Sequence, residues 1–314
     1  MQGTTLELVG NDLKFVKAKE FALNIAVTKT PAIVVGEAGT GKRALCELIH
    51  ANSARRSQEF VIVDCANTSK KVENEILGYR DEETGRFNKG ALERCNGGTV
   101  VLANIDGLEE EFQKKLYKIL TELADYEIDV RILATTTKNL SKFVGAGRFY
   151  RALYTFFSGT QILLSPLRDR GADIELLTNY FISAEMVKSG DTEPVVFSPE
   201  ALEKIKGYYW AHNIQELKAV VENSYANCVN GVIDLGALEL GEKKAESNIA
   251  DLDEDGIRLM SLKEAEKLLI KKALIHTSEN RTQAAKILGV SIRTLRNKIN
   301  EYRGDGASFF VNLR

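Results

Sequence analysis

Residues 36–45 read "GEAGTGKRAL" and follow directly on the apolar run Ala32-Ile33-Val34-Val35. Glycines at these spacings let successive backbone N–H groups converge on an anion. The helix predicted to follow adds its positive N-terminus, and a lysine in this place reaches terminal phosphates. A strand before and a helix after is the setting such a phosphate-binding loop requires. Gly36, Gly39, Thr40, Gly41, Lys42 and Arg43 are therefore the candidate nucleotide-binding residues. Arg43 stands where the common loop has a Ser or Thr that helps hold magnesium.

Outward from the loop, "PAIVVG", "EFVIVDC", "GGTVVLANI" and "VRILATTT" are short, almost uninterrupted apolar runs, separated by helical patterns near 42–53 and 109–124. Strands alternating with helices predict a parallel, doubly wound α/β sheet, and strands covered by helices on both faces read as continuous apolar runs. After Pro166 the strand signal fades into "GADIELLTNYFISAEMVKS", "SPEALEKIKGYYW" and "NIQELKAVVENSYANCV", with Ser198 and Pro199 as a helix start. The expected organisation is an α/β subdomain over 1–165, a helical lid over 166–240, a polar and acidic linker over 241–259, and an all-α domain over 260–314.

The chain has 314 residues and a net charge of -2, with 44% hydrophobic and 27% charged residues, a globular composition. No run approaches the ~20 apolar residues of a membrane span, and the start lacks a signal-peptide pattern. A cytoplasmic protein without membrane contact is expected. Cys46, Cys65, Cys95 and Cys228 are scattered, as are His50, His212 and His276, so neither a metal site nor a disulfide framework is expected. Charge is uneven: residues 261–314 hold eleven Lys and Arg against five Asp and Glu.

Together these stretches resemble the bacterial enhancer-binding proteins, the sigma-54-dependent activators of the AAA+ class. The resemblance runs from "ELVGND" through "GEAGTGK", "ENEILGY", "CNGGTVVLANID", "RILATTTKNL", "GRFYRALYTFFSGTQILLSPLRDRGADI" and "WAHNIQEL" to a Fis-type helix-turn-helix. It implies an AAA+ sheet with a helical lid, followed by a DNA-binding domain. In that family the loop typically reads GESGTGKE, so a residue without a hydroxyl after Lys42 is ordinary there.

Other departures weigh more. The family's second motif puts Asp-Glu at the end of an apolar strand for magnesium and the attacking water; here Ala103-Asn104 follow "TVVL", and Asp106 is expected to leave the strand tip. The family's "FREDLYYRL" carries two arginines that reach a neighbouring subunit's nucleotide; "FYRALYTFF" has Tyr150 and Phe156 there, with Arg151 shifted by one. The lid pattern "WPGNVREL" supplies an arginine near the phosphates, where this chain has Gln215. Set against the family's pattern, these losses point to no catalytic residue and no hydrolysis; no cofactor is required, and ATP or ADP is a candidate ligand. The GAFTGA loop through which relatives contact sigma-54 is also missing from the shorter "YRDEETGRFNKGALERCN", with Thr84-Gly85 a faint echo, so sigma-54 contact is doubtful.

The end of the chain keeps its pattern. Leu262, Ala265, Leu268, Leu269, Ala273 and Leu274 recur at helical spacing. "RTQAAKILGVSIRTLRNKI" then has small Ala284 and Ala285 at a helix crossing, Gly289 at the turn, Val290 and Leu295 as core and Ser291 as a cap. Arg281, Ser291, Arg293, Thr294, Arg296, Asn297, Lys298 and Arg303 are the candidate DNA contacts, Arg and Asn suiting base edges and Lys298 and Arg303 suiting phosphates. Double-stranded DNA is the expected partner, read by a homodimer; a nucleotide-driven hexamer is disfavoured, and RNA polymerase or a regulatory protein is a further candidate partner. With the resemblance starting in the first ten residues, no sensor domain is expected ahead of it, and the bacterial protein would associate with the nucleoid when on DNA. The expected function is DNA-binding regulation without ATP hydrolysis. The alternatives are an active sigma-54 activator with an aberrant site, or a protein that inhibits active relatives.

Overall fold

The computed structural model describes residues 8–67, 69–81, 83–228, 230–240 and 280–304, with Glu266, Leu269, Ile270, Ala273, Leu274 and Thr277. The linker at 241–259, Leu262, Ala265, Leu268 and His276 lie outside the described residues. The chain divides into two compact units, Met1–Leu240 and Gly241–Arg314.

The first unit runs α1 (Leu13–Ala26), β1 (Ala32–Val35), α2 (Lys42–Ala51), β2 (Phe60–Asp64), α3 (Ser69–Leu77), β3 (Gly78–Arg80), β4 (Phe87–Lys89), α4 (Ala91–Arg94) and β5 (Thr99–Ala103). It continues through α5 (Glu110–Thr121), β6 (Arg131–Thr136), α6 (Leu140–Gly145), α7 (Arg151–Ser158), β7 (Gln161–Leu163), α8 (Gly171–Ser189), β8 (Val196–Phe197), α9 (Pro199–Lys206), α10 (Asn213–Ala226) and β9 (Val232–Ile233). The five-stranded sheet has the order β2-β5-β6-β1-β7, and its pairings are parallel.

Alternation along β1 explains why that strand is apolar throughout. Ile33 packs with Val100, Leu102, Leu116, Leu153 and Phe157 on the face covered by α5 and α7. Ala32 and Val34 pack with Phe15, Ala22, Leu45 and Ile49 on the face covered by α1 and α2. Both faces are thus dry, and the loop after β1 emerges at the carboxyl edge of the sheet, where doubly wound folds place ligands. The fifth strand, β7, is an addition to the sequence reading: three residues are too short for a periodic signal, yet their pairing with β1 encloses the strand that carries the loop.

Asp12 caps α1 by accepting from Lys14 N and Phe15 N. At the other end, the buried Arg131 of β6 donates from Nη1 to Ala26 O and from Nη2 to Ile25 O, each at 2.8 Å. A basic side chain thereby takes up the carbonyls that a helix C-terminus leaves open. In the lid, α8, α9 and α10 close around Trp210, whose Nε1 donates to Ile205 O at 3.0 Å.

Where sequence offered only a divergent loop, β3 and β4 pair antiparallel, Gly78 with Lys89 and Arg80 with Phe87. Asp81 holds the turn after β3, accepting from Glu83 N, Thr84 N and Thr84 Oγ1.

In the second unit, helices Arg281–Ile287 and Ile292–Gly304 enclose Ala284, Ala285, Leu295, Ile299 and Tyr302 with Ile270, Ala273 and Leu274. Gly289 turns the chain between them at φ 66, a left-handed conformation that a Cβ disfavours. Val290 is not core as expected; it is 40% exposed, because the turn projects it outward while Leu295 fills the interior.

Arg131→Met should lower the unfolding free energy of the first unit by about 1–3 kcal/mol, because the Ala26 carbonyl loses its Arg131 donor while the Ile25 carbonyl keeps Thr28 N and Oγ1. Lys29→Ala, which removes an exposed partner of Asp129, should change it by less than about 0.5 kcal/mol. Urea denaturation of the two variants checks this.

Candidate functional site

The loop after β1 is shaped by its glycines. Gly39 and Gly41 have φ of 77 and 100, and a Cβ on Gly39 would lie 2.0 Å from the carbonyl oxygen of His212 in the lid. No side chain caps α2 at Gly41, so its first N–H groups face the loop as a ready anion site. Lys42 folds back on the loop, its Nζ donating to Gly36 O and Glu37 O at 2.8 Å each. Burial pulls its pKa below the ordinary lysine value, opposed by the charges of Asp106 and Glu37. Thr40, buried, donates to Glu37 O at 2.8 Å. Arg43 is 77% exposed and pairs with Glu47 one turn on.

The lid is seated on this loop. Arg168, in the connection between β7 and α8, grips Glu37 with two hydrogen bonds of 2.8 and 2.5 Å, the fork geometry in which guanidinium and carboxylate pair best. Its guanidinium carbon lies 4.9 Å from the ring centroid of Tyr209. Asn213, fully buried, donates to Ala38 O at 2.8 Å and Glu37 Oε2 at 3.2 Å and accepts from Leu167 N at 2.7 Å. Ile214 N donates to Gly39 O at 3.0 Å, and Arg170 donates to Thr40 O at 3.2 Å. Glu37 is held below the ordinary carboxylate value, chiefly by the Arg168 hydrogen bond and against the cost of burial.

The strand tips flanking the loop carry the substituted positions. Ala103 ends β5, and Asn104 follows in the left-handed region at φ 54. The Asn104 amide donates to Asp64 Oδ1 at 2.9 Å, and its N–H donates to Thr135 Oγ1 at 3.2 Å. Asp106 does not leave the strand tips as expected. Thr136 at the end of β6 donates to its Oδ1 at 2.5 Å, because the short helical turn at Ile105–Gly107 brings it back to the sheet edge. β6 neighbours β1, so Asp106, with Glu37, is a carboxylate whose charge Lys42 feels. Asp64 is three strands from β1, about 14 Å at ordinary strand spacing.

Gln215 lies on the first turn of α10, its Cβ 3.3 Å from where a Cβ on Gly39 would sit. Tyr150 and Phe156 are on α7 and its cap. Tyr150 packs edge-on to Tyr117, with ring centroids 5.8 Å apart, and Phe156 against Phe157 at 5.0 Å. Both rings line an open hollow that Arg151 borders. Among the described residues no helix is long and apolar enough to cross a membrane, and no three His, Cys, Asp or Glu cluster as metal ligands.

A glycine loop that hands its helix end to a lid, on a parallel sheet ordered in this way, can be matched against known proteins. The sigma-54 interaction domain profile matches residues 8–163, the AAA+ ATPase lid domain 168–254, and the Fis family of bacterial regulatory proteins 261–302. The chain belongs to the sigma-54-dependent transcriptional regulators. The regulator SfnR of Pseudomonas fluorescens is 36% identical over 237 residues, covering 71% of this chain and 64% of SfnR. Regulatory protein AtoC of Escherichia coli is 31% identical over 303 residues, covering 90% of this chain and 65% of AtoC. The chain thus spans less than two thirds of the length of these two relatives. The crystal structure of NtrX from Brucella abortus in complex with ADP has the same fold, with a TM-score of 0.66 at 24% identity over 94% of this chain and 69% of that one.

On the Fis-type unit of this family member, Arg293, Thr294, Arg296 and Asn297 are exposed on helix Ile292–Gly304. Ser291 caps that helix, accepting from Thr294 N at 3.0 Å, and its hydroxyl also pairs with that of Thr294 at 2.8 Å. Arg281 starts the preceding helix, and Arg303 lies in the last turn with its side chain outside the described set. Lys298 departs from the expectation of a solvent-facing phosphate contact. It is half-buried and bridges to Glu266 at 3.0 Å, alongside the Tyr302 hydroxyl at 2.9 Å, because Glu266, Leu269 and Ile270 lie against this face.

Sequence reasoning missed Glu37, Arg168, Arg170 and Asn213. The available signal was a buried-type polar set, one of them in the loop itself, flanking two stretches already singled out. Because its folded-state pKa is depressed, Glu37 stabilises the seated lid fully above about pH 4.3, the ordinary Glu value, and the contribution is lost as pH falls below it. Glu37→Gln should therefore speed amide hydrogen exchange at 208–216 at neutral pH. It should also flatten the fall in protection factor expected there for the unaltered protein as pH is lowered.

Proposed function

We propose that the chain is a DNA-binding transcription regulator whose AAA+ unit holds nucleotide without hydrolysing it. The observation that carries this reading is the tip of β5, where Ala103 and Asn104 offer no carboxylate and the Asn104 amide is turned to Asp64 on the far side from β1. Hydrolysis of a phosphoanhydride needs a metal-holding acid, a group that orients water and cations for the transition-state charge. Tyr150, Phe156 and Gln215 supply no cation at the places where relatives of this type are expected to have one. The loop itself retains what binding requires: backbone N–H groups at positive-φ glycines and Lys42 within reach of terminal phosphates.

DNA recognition is assigned to the exposed face of helix Ile292–Gly304. One helix-turn-helix reads few base pairs, so two copies on half-sites about one helical turn apart are required for specificity. Regulation then depends on where the protein sits on DNA, with nucleotide, or a partner at the AAA+ unit, as the modulator.

A second reading is favoured by one observation. Asp106 returns to the sheet edge beside β1 and acts on Lys42, and a displaced acid of this kind could serve an active sigma-54 activator. Steady-state ATP turnover with magnesium separates the two. The proposed reading expects no turnover above that of Lys42→Ala; turnover abolished by both Lys42→Ala and Asp106→Asn overturns it. For DNA, Arg296→Ala should weaken specific binding by about 1–3 kcal/mol while leaving non-specific binding nearly unchanged. Lys298→Ala should change the salt dependence little, because its ammonium is engaged by Glu266. Competition binding at several salt concentrations checks both.

A further inference from the structure

The cleft beside the loop fits a polyphosphate but not the magnesium that ordinarily accompanies it. The fit to phosphate rests on the loop: Gly39 and Gly41 hold positive φ that turns backbone N–H groups toward one point, and the uncapped start of α2 presents N–H groups beside them. Magnesium bound with nucleotide needs oxygen ligands in near-octahedral array, commonly one or two carboxylates, besides the phosphates. Here the residue after Lys42 is Arg43, without a hydroxyl. The hydroxyl of Thr40 is turned away to Glu37 O. The tip of β5 has no carboxylate. Asp64 is held by Asn104 Nδ2 and Ala66 N, three strands from β1. Asp106 accepts the Thr136 hydroxyl. Glu37 is fully engaged by Arg168 and Asn213.

Positive charge is instead supplied by the chain. Lys42 and Arg43 are adjacent at the N-terminal turn of α2, where the helix dipole already favours an anion. Arg43 is tied only to Glu47 through an exposed pair, which costs little to break. Its long side chain can swing from Glu47 to a phosphate oxygen one turn away, where a guanidinium binds with fork geometry. We infer that this protein binds nucleoside di- and triphosphates without a divalent metal, Arg43 and Lys42 providing the charge compensation that magnesium supplies elsewhere. The inference rests on the reading of the loop as a nucleotide-holding site.

The test is calorimetric titration of the full chain with ADP and with ATP, once in excess magnesium and once in EDTA, followed by Arg43→Glu and Arg43→Lys. Affinities within about twofold in the two conditions support the inference. So do a tenfold or larger loss in Arg43→Glu, equivalent to about 1.4 kcal/mol, and retention in Arg43→Lys. A melting curve for Arg43→Glu equal to that of the unaltered protein shows that the exposed substitution leaves the fold intact. Binding strengthened tenfold or more by magnesium overturns the inference, as does failure of both nucleotides to bind. Magnesium-strengthened binding without turnover would leave the proposed function standing, whereas turnover would remove the proposed function itself.

Discussion

Everything at the nucleotide edge of this protein depends on the seating of the lid on the phosphate loop. The His212 carbonyl lies where a side chain on Gly39 would be, Ile214 N donates to Gly39 O, and Asn213 bridges Ala38, Glu37 and Leu167. These contacts run through the loop backbone and the buried Asn213 amide, so the chain itself fixes the loop. The Glu37–Arg168 fork then ties the connection after β7 to the same loop. Loop and lid thus form one packed assembly rather than two parts brought together by a phosphate. On the proposed reading, a seat built this way suits a module that holds a nucleotide and stays in place. A cycling motor needs the lid to report on each phosphate lost, and here Gln215 has no charge with which to do so.

Much of this was legible in the sequence because the signals were local. A continuous apolar run followed by GxxGxGK can form little else but a buried strand feeding a helix, and the lid helices announced themselves by period and by Ser198-Pro199. The substituted positions Ala103, Asn104, Tyr150, Phe156 and Gln215 were legible only against the family's pattern. The features that escaped were set by contacts distant in sequence. β7 is a strand because β1 offers it an edge, and Asp106 stays at the sheet edge because Thr136, 30 residues on, donates its hydroxyl to it. Lys298 looked like a free basic residue on a recognition helix, but Glu266 lies against it. Val290 erred the other way: an apolar residue next to a turn glycine reads as core, but the turn aims it at solvent.

The pattern of loss and retention is coherent. Groups expected to perform chemistry on a bound nucleotide are replaced by an amide, a methyl, two aromatic rings and a neutral glutamine, while the anion cradle and the helix-turn-helix core remain. Tyr150 and Phe156 pack against Tyr117 and Phe157 instead of projecting a charge, so that face gains apolar surface as it loses cations. On the proposed reading, a regulator of this composition acts by occupancy of DNA, with nucleotide as a ligand rather than a fuel.

The most direct test of that claim is a single-turnover experiment with ATP labelled at the terminal phosphate, the protein in excess and bound to a DNA fragment it selects. The account predicts that the labelled ATP is recovered intact over many minutes with magnesium present. Release of stoichiometric labelled phosphate on that timescale, lost in Lys42→Ala, would contradict it.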